Sequence, residues 1–495
     1  MITPRFSCSQ TDACVVTSIY CPSVRASEIE IHVDDTLLSV HIAPYFLRLN
    51  FPGNVVEDDA SSAVYDPTTG YLTITLNKVV PGLEFPDLDL LAKLLAPRRL
   101  ENSAPRGPLV EILSSEEIPE TAEEEIVTKT EGLSLDSGQA TQEWHEILEA
   151  AQNDWQIPQT VPEMAPKPHT LLPKPYGFFD AYTGYFVHVA NTENEVNELG
   201  SEAENVSPGE RRRRRLEQED AKWDAEHYMA DYVDHDVIDE LLWWKHPSLR
   251  SLDVLPFSEA ENLTMLQLPR KEYLPTPSQT RSAYLTLLTI LFAYAYDARF
   301  TQHDPTPESA WTICVLIPAF SALDSPPYML PSNAVPVARL LPSQSHQSSS
   351  YDIASTLAAS YRRSLAYPLY RSWALSESCR SDVASFLIRG TRAVLRCLLE
   401  VRALLDAHEV YYVYSRIWLD DFCSWIQSHA NDDSLKTLAE AVRNTRMEKA
   451  MIGWDLEELE AAARAAAERS SDSDDSSEGE VEQMTPSVLQ GLRAH

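Results

Sequence analysis

Glu28-Ile-Glu-Ile-His-Val33, then Asp34-Asp35, then Thr36-Leu-Leu-Ser-Val-His-Ile42 is the stretch that decides the fold of the N-terminal region. Apolar and polar side chains alternate on both sides of the acidic pair. That period of two lines one face of a strand with apolar groups and leaves the other wet. The acidic pair between the runs predicts a β-hairpin with a two-residue turn. Working outward, Tyr45 to Phe51 and Tyr71 to Leu76 (YLTITL) repeat the pattern, and Asp66-Pro-Thr-Thr-Gly70 supplies turn chemistry before the latter. Short strands separated by turns predict an antiparallel sandwich over residues 1–96.

The rhythm stops at residue 97. Glu116, Glu117, Glu120, Glu123, Glu124 and Glu125 cluster, and prolines recur from Pro158 to Pro175. Residues 97–170 therefore read as an acidic, Pro-rich and mostly disordered linker. One short helix is expected within it, from Glu143 to Trp155.

From 171 to 467 the periodicity is helical, and a large all-α domain is expected. Asp220 to Trp244, Thr280 to Arg299, Asp382 to Leu405 and Val410 to His429 read as long helices. Disordered loops are expected near 193–215 and 325–350. The most apolar segment, Ala283 to Tyr296, is fourteen residues long. A membrane span needs about 20, so a buried core helix is expected instead. Residues 468–495 read as an acidic disordered tail, whose serines before acids suit acid-directed phosphorylation.

The 495-residue chain carries 40 Lys and Arg against 75 Asp and Glu, a net charge of −35. Such a chain repels nucleic acid and anionic membrane and attracts basic surfaces. Its start, MITPRFSCSQTDACVV, lacks a basic segment followed by an apolar one, so no signal peptide is expected. The seven cysteines form no Cys-x-x-Cys pair, and reduced, buried thiols are the expectation.

Catalytic motifs are sparse. With 14 glycines, the chain holds no G-x-G-x-x-G, no phosphate-binding P-loop and no G-x-S-x-G elbow. No enzyme activity, cofactor or metal is expected. His227, Asp231 and His235 fall on one helical face at spacing four, but a metal also needs a third strong ligand and an enclosed site, so a polar helix face is the expectation. Arg211 to Arg215 is a run of five arginines among Glu210, Glu217, Glu219 and Asp220. It fits a nuclear import signal or a solvated, charge-balanced start to the next helix. Without interleaved aromatics it is a poor RNA site. Trp243, Trp244, Trp311, Tyr367, Tyr370, Trp373, Tyr411, Tyr412, Trp418 and Trp425 crowd beside charges, as interface anchors or as core.

Several segments resemble, in order, the box H/ACA ribonucleoprotein assembly factors. Met1 to Gln10, Pro44 to Leu49, Val55 to Asp58 and Phe85-Pro-Asp-Leu-Asp89 resemble that family's CS domain, an α-crystallin-like sandwich. Tyr176-Gly-Phe178, Asp224 to Tyr228, Leu268-Pro-Arg-Lys-Glu-Tyr-Leu274, Glu308 to Ile313, Tyr367 to Arg371 and Trp418 to Gln427 resemble its helical domain. The resemblance spans roughly 1–96 and 176–430, with departures at Cys8, at Asp297 to Arg299 and in the 325–350 loop.

The resemblance implies a monomeric assembly chaperone that binds a dyskerin-type pseudouridine synthase. It would cover the synthase's RNA-binding surface as an RNA-like placeholder until AAA+ ATPases remove it. It also implies residence in the nucleoplasm, with a cytoplasmic share, and no direct contact with nucleic acid or membrane. Phe6, Gln10 and Lys78 match a candidate protein-binding patch on the sandwich. Phe6 and Gln10 lie at even spacing and so share a face. The rival expectation is a general CS-domain cochaperone or scaffold, against which the long helical domain with its own motifs argues.

Overall fold

A computed structural model describes residues 2–22, 24, 29–58, 60–95, 173–187, 194–250, 256–331 and 347–474. The expected linker, its helix from Glu143 to Trp155, and the tail from 475 onward lie outside these residues. Met1–Pro97 and Leu172–His495 belong to one compact unit.

The N-terminal region is the expected antiparallel sandwich. One sheet holds β1 (Arg5–Gln10), β2 (Cys14–Tyr20), β6 (Val55–Val56), β7 (Ser62–Asp66) and β8 (Tyr71–Lys78), ordered β1-β2-β8-β6 with β7 also paired to β8. The other holds β3 (Glu30–Asp34), β4 (Leu37–Ile42) and β5 (Tyr45–Asn50) in sequence order. Val15, Ile19, Leu38, Val40, Leu47, Leu49, Leu72, Ile74 and Leu76 are buried between the two faces.

The β3–β4 turn is Asp35-Thr36 rather than Asp34-Asp35, because Asp34 still pairs with Leu37. Asp35 takes φ 49°, a left-handed conformation that Asp tolerates better than most residues. Strand β2 carries no expectation from the sequence, since one of its inward positions is polar. Thr17 is buried there, 3.7 Å from the Cys8 thiol, whose pKa burial pushes up to about 12.

The chain then enters α1 (Leu91–Leu95), which buries Leu91 and Leu94. After the linker come α2 (Pro208–Lys222), α3 (Ala225–Val233), α4 (Asp236–Trp243) and α5 (Glu259–Gln267). The axis of the domain is α6 (Pro277–Phe300). Its start is set by Pro277 and by a capping box between Thr276 and Gln279, which satisfies free backbone N–H groups. Every residue from Leu285 to Arg299 is buried. A helix surrounded on all sides has no polar stripe to show. Around it pack α7 (Ser309–Leu316), α8 (Gln347–Ala366), α9 (Trp373–Ile388) and α10 (Thr391–Asp406). The chain closes with α11 (Asp420–Ser428), α12 (Asp432–Asn444) and α13 (Leu456–Asp474). Among the described residues no helix is long and apolar enough to cross a membrane.

Several expected boundaries move. The loop near 193–215 is largely ordered: 194–206 is a series of turns and Pro208 opens α2, capped by the Ser207 side chain. The 325–350 loop ends early, since α8 begins at Gln347; residues 332–346 lie outside the described set. Asp382 to Leu405 is two helices, broken at Gly390. There φ is 83°, and an added Cβ would fall 2.6 Å from Asp432 Oδ1. Asp432 uses that approach to accept the Thr391 N–H at 2.8 Å and its hydroxyl at 2.7 Å. Val410 to His429 contains a wide, π-type turn at Ser415–Leu419 before α11. At the C-terminal end, α13 runs past residue 467 to Asp474.

Sandwich and helical domain are clamped together. Arg392 on α10 reaches Asp89 at 2.7 and 2.8 Å and Asp87 at 3.0 Å. Gln427 on α11 accepts the Ala92 N–H at 3.1 Å.

Candidate functional site

Gln10 and Lys78 meet at the ends of β1 and β8. Lys78 Nζ donates to Gln10 Oε1 at 2.9 Å and to the Leu83 carbonyl at 2.7 Å. Gln10 in turn accepts from Phe85 N–H and donates to Phe85 O, both at 2.8 Å. The ammonium also sits 5.1 Å from the centre of the Phe85 ring. Lys78 is therefore buried, and a partner cannot reach its charge. Phe6 shares the inward face, as the even spacing implies, but it is a core residue beside this knot. What the knot holds out is the segment that follows β8, where Val79, Val80 and Leu83 are exposed. Those three valine and leucine side chains carry no turn or strand periodicity, and the sequence did not single them out.

Most of the crowded aromatics prove to be packing. Trp418, Trp425 and Tyr411 are buried, while Trp373 is partly buried and edges onto Tyr361. Tyr412 is exposed, and so, far more fully, is Trp243, at 85% exposure. It ends α4, whose Ile238 and Leu241 face the core. The opposite face and the preceding turn expose Val233, Asp234, Asp236, Val237 and Glu240. A large indole and two valines thus stand in water among four carboxylates, counting Asp239 of the same helix. An exposed apolar group of this kind, with four carboxylates against the single Lys245 nearby in sequence, suits a protein partner of basic character.

The arginine run is amphipathic. Arg213 and Arg214 face outward and pair with Glu210, Glu217 and Glu202. Arg211 and Arg215 face inward. Arg211 donates to the carbonyls of Lys174, Pro175 and Ala203. Arg215 meets Glu219 at 2.6 Å and Asp324 at 2.8 Å. Glu219 also accepts from Arg362 at 2.6 Å, with Arg363 at 3.4 Å. Burial pushes the Glu219 carboxyl up, but these three guanidinium groups outweigh it and hold its pKa below the usual range. Two of the five arginines are thus spent on the core, so the run is not a free basic segment.

A second hub gathers segments far apart in the chain. Buried Asp421 accepts the hydroxyls of Tyr182 and Tyr273, the latter at 2.7 Å, and pairs with Lys271 at 2.9 Å. Burial and the neighbouring carboxylate both push the two phenols well above their ordinary pKa. Nearby, Gly177 takes φ 83° and passes so close to Ile417 O that an added Cβ would fall 2.9 Å from it.

His227, Asp231 and His235 do not converge. His227 lies 3.5 Å from Asp231, but Asp231 also accepts the Arg371 N–H, and His235 turns away to Asp239 at 3.0 Å. The helix ends at Val233, which breaks the assumed spacing. The histidines that do converge are His246 and His303, beside Glu400. Their separation in sequence hides them from any spacing rule. All seven cysteines are unbridged, and five are buried.

Two antiparallel sheets clamped onto a helical domain with its own buried polar hubs define a two-domain protein of CS-sandwich and helical-domain architecture. The description "SHQ1-like, CS domain" matches residues 3–95, and "SHQ1 protein, Shq1 domain" matches residues 247–456. The Protein shq1 of Schizosaccharomyces pombe is 35% identical over 471 residues, covering 93% of this chain and 96% of that protein. The SHQ1 homolog of Xenopus tropicalis is 32% identical, over 94% of this chain and 70% of its own length. The homolog of Mus musculus is 29% identical, over 94% and 75%. The chain belongs to the SHQ1 family, a family of box H/ACA ribonucleoprotein assembly factors.

Proposed function

We propose that this assembly chaperone binds a dyskerin-type pseudouridine synthase on its RNA-binding surface, as an acidic placeholder that stabilises the enzyme before RNA is loaded. The observation that carries this reading is Trp243, exposed among Asp234, Asp236, Asp239 and Glu240. A surface built to hold phosphates is basic, because phosphate contacts dominate its affinity. An occupant of that surface has to supply carboxylates where RNA supplies phosphates, and an aromatic ring can take the place of a stacked base. The chain's net charge of −35 adds long-range attraction that speeds encounter.

In this reading the sandwich makes a second, accessory contact through the exposed Val79, Val80 and Leu83, with Gln10 and Lys78 holding that segment in shape beside Phe6. AAA+ ATPases remove the chaperone, and the exchange takes place in the nucleoplasm. The test is co-purification with a dyskerin-type synthase, followed by titration with guide RNA and with salt. Affinity is expected to fall steeply from about 50 to about 300 mM salt, across which screening changes strongly. RNA is expected to displace the chain. A flat salt response, or simultaneous binding of RNA and chaperone, would refute the placeholder role.

A further inference from the structure

The geometry points to a divalent-metal site of the zinc type formed by His246, His303 and Glu400. The three come from separate elements: the turn after α4, the turn after α6, and the middle of α10. One potential donor atom from each lies within 4.8 Å of the others. His303 Nε2 is 3.0 Å from Glu400 Oε2, and the two imidazole rings stand 4.5 Å apart, close to perpendicular. Two imidazoles and one carboxylate are a recurring zinc set that leaves a coordination position open.

The surroundings fit that use. Ser248 anchors the far side of the His246 ring, its Oγ 2.7 Å from Nδ1 and its backbone N–H donating to Nδ1 at 3.2 Å, so that Nε2 faces the cluster, where a bound cation would replace the ring proton. Gln302 and His303 are both held at positive φ, 54° and 65°, which aims the second ring back toward α10. The Tyr294 hydroxyl joins the cluster, 2.8 Å from His246 Nε2 and 2.5 Å from Glu400 Oε2.

That hydrogen-bonded arrangement alone would be a sufficient account of the three ligands, but it leaves two neighbouring features unexplained. A cavity of about 360 Å³ opens beside the cluster, lined by Tyr294, Asp297, Thr301, His303, Glu400 and Leu404 among others. Asp297, a wall residue only 4% exposed, has a carboxylate oxygen with no hydrogen-bond partner. Buried carboxylate oxygens are expensive when unpaired. A cation in the cluster, with water on its open position in the cavity, would balance that charge.

The test uses the full chain, stripped with a chelator and titrated with zinc by calorimetry and with cobalt by visible absorption. One equivalent is expected to bind, with a cobalt spectrum free of thiolate charge transfer. His303→Asn and Glu400→Gln are expected to lose that equivalent, while His235→Asn, at an exposed position off the cluster, keeps it. No bound equivalent in the wild type, or equal binding by His303→Asn, overturns the site. Should both ligand variants fail to fold by circular dichroism, the cobalt spectrum of the wild type decides: a thiolate signature overturns the assignment, and a nitrogen–oxygen spectrum upholds it.

Discussion

The hydroxyl of Tyr273 donates to Asp421 Oδ1 at 2.7 Å across 148 residues of chain. Tyr182 and Lys271 approach the same carboxylate, so two of the segments that resemble the assembly-factor family, Leu268–Leu274 and Trp418–Gln427, meet at one buried group together with Tyr182. The hub has a packing role: each segment supplies a partner to one buried carboxylate. Asp421→Ala would strand two phenols and an ammonium. A loss of about 3 kcal/mol is expected, since removing one member of a buried charged network leaves its partners unsatisfied. Urea unfolding followed by tryptophan fluorescence measures it, and a double-mutant cycle with Tyr273→Phe should show coupling of at least about 0.5 kcal/mol.

Arg215 and Arg213 are two residues apart and should behave differently. Arg215→Ala leaves Glu219 and Asp324 buried without one of their cations, and a cost of about 3–5 kcal/mol is expected. Arg213 is exposed, and Arg213→Ala should melt like the wild type. Thermal melts of the two variants check this. It follows that deleting the whole run would report on folding before it reported on nuclear import. Localisation should be tested with the double variant Arg213→Ala, Arg214→Ala.

Asp297 makes stability depend on pH. Burial raises its carboxyl from 3.8 to about 6, because the charged form is poorly solvated there. The folded state therefore binds the proton more tightly than the unfolded state. Its contribution is fully present below about pH 4 and is lost as pH rises through about 6, a change of about 3 kcal/mol by linkage. Asp297→Asn should remove this slope and be more stable than the wild type at pH 7. Urea midpoints of both proteins at pH 4, 5, 6 and 7, with chelator present, isolate the difference. Parallel curves would show that Asp297 is not the group responsible.

Trp243→Ala is expected to leave the melting temperature unchanged, since the indole stands in water. Its loss should weaken synthase binding by about 2 kcal/mol, on the order of 30-fold, if the ring is an anchor. Surface plasmon resonance at fixed salt measures this; unchanged affinity would move the contact to another face.

Lys78→Glu is expected to be destabilised by about 2–4 kcal/mol rather than merely altered at its surface. The new carboxylate would face Gln10 Oε1 and the Leu83 carbonyl with no proton to offer. Val80→Asp, on the segment that the knot holds out, should melt like the wild type. Differential scanning calorimetry separates the two.

By itself the sequence determined the sandwich, the helical domain and the buried α6, because periodicity and turn chemistry are local properties. Glu30 to Ile42 pairs as its alternation demands, with the turn one residue late. Ala283 to Tyr296 is buried but for the half-buried Tyr284, because fourteen residues this apolar have nowhere else to go. Charge pairing at a distance was less legible. Five arginines in a row read as an import signal or a solvated helix start, yet two of them close the core, since Asp324 and the carbonyls of Lys174, Pro175 and Ala203 arrive from other segments. Only the tertiary structure decided which aromatics are core and that Trp243 and Tyr412 are not. It alone joined Gln10 to Lys78 and brought His246 and His303 to Glu400. The physical reason is common to all of these: a side chain's burial and its partners depend on contacts between segments tens to hundreds of residues apart, and no periodicity along the chain records them.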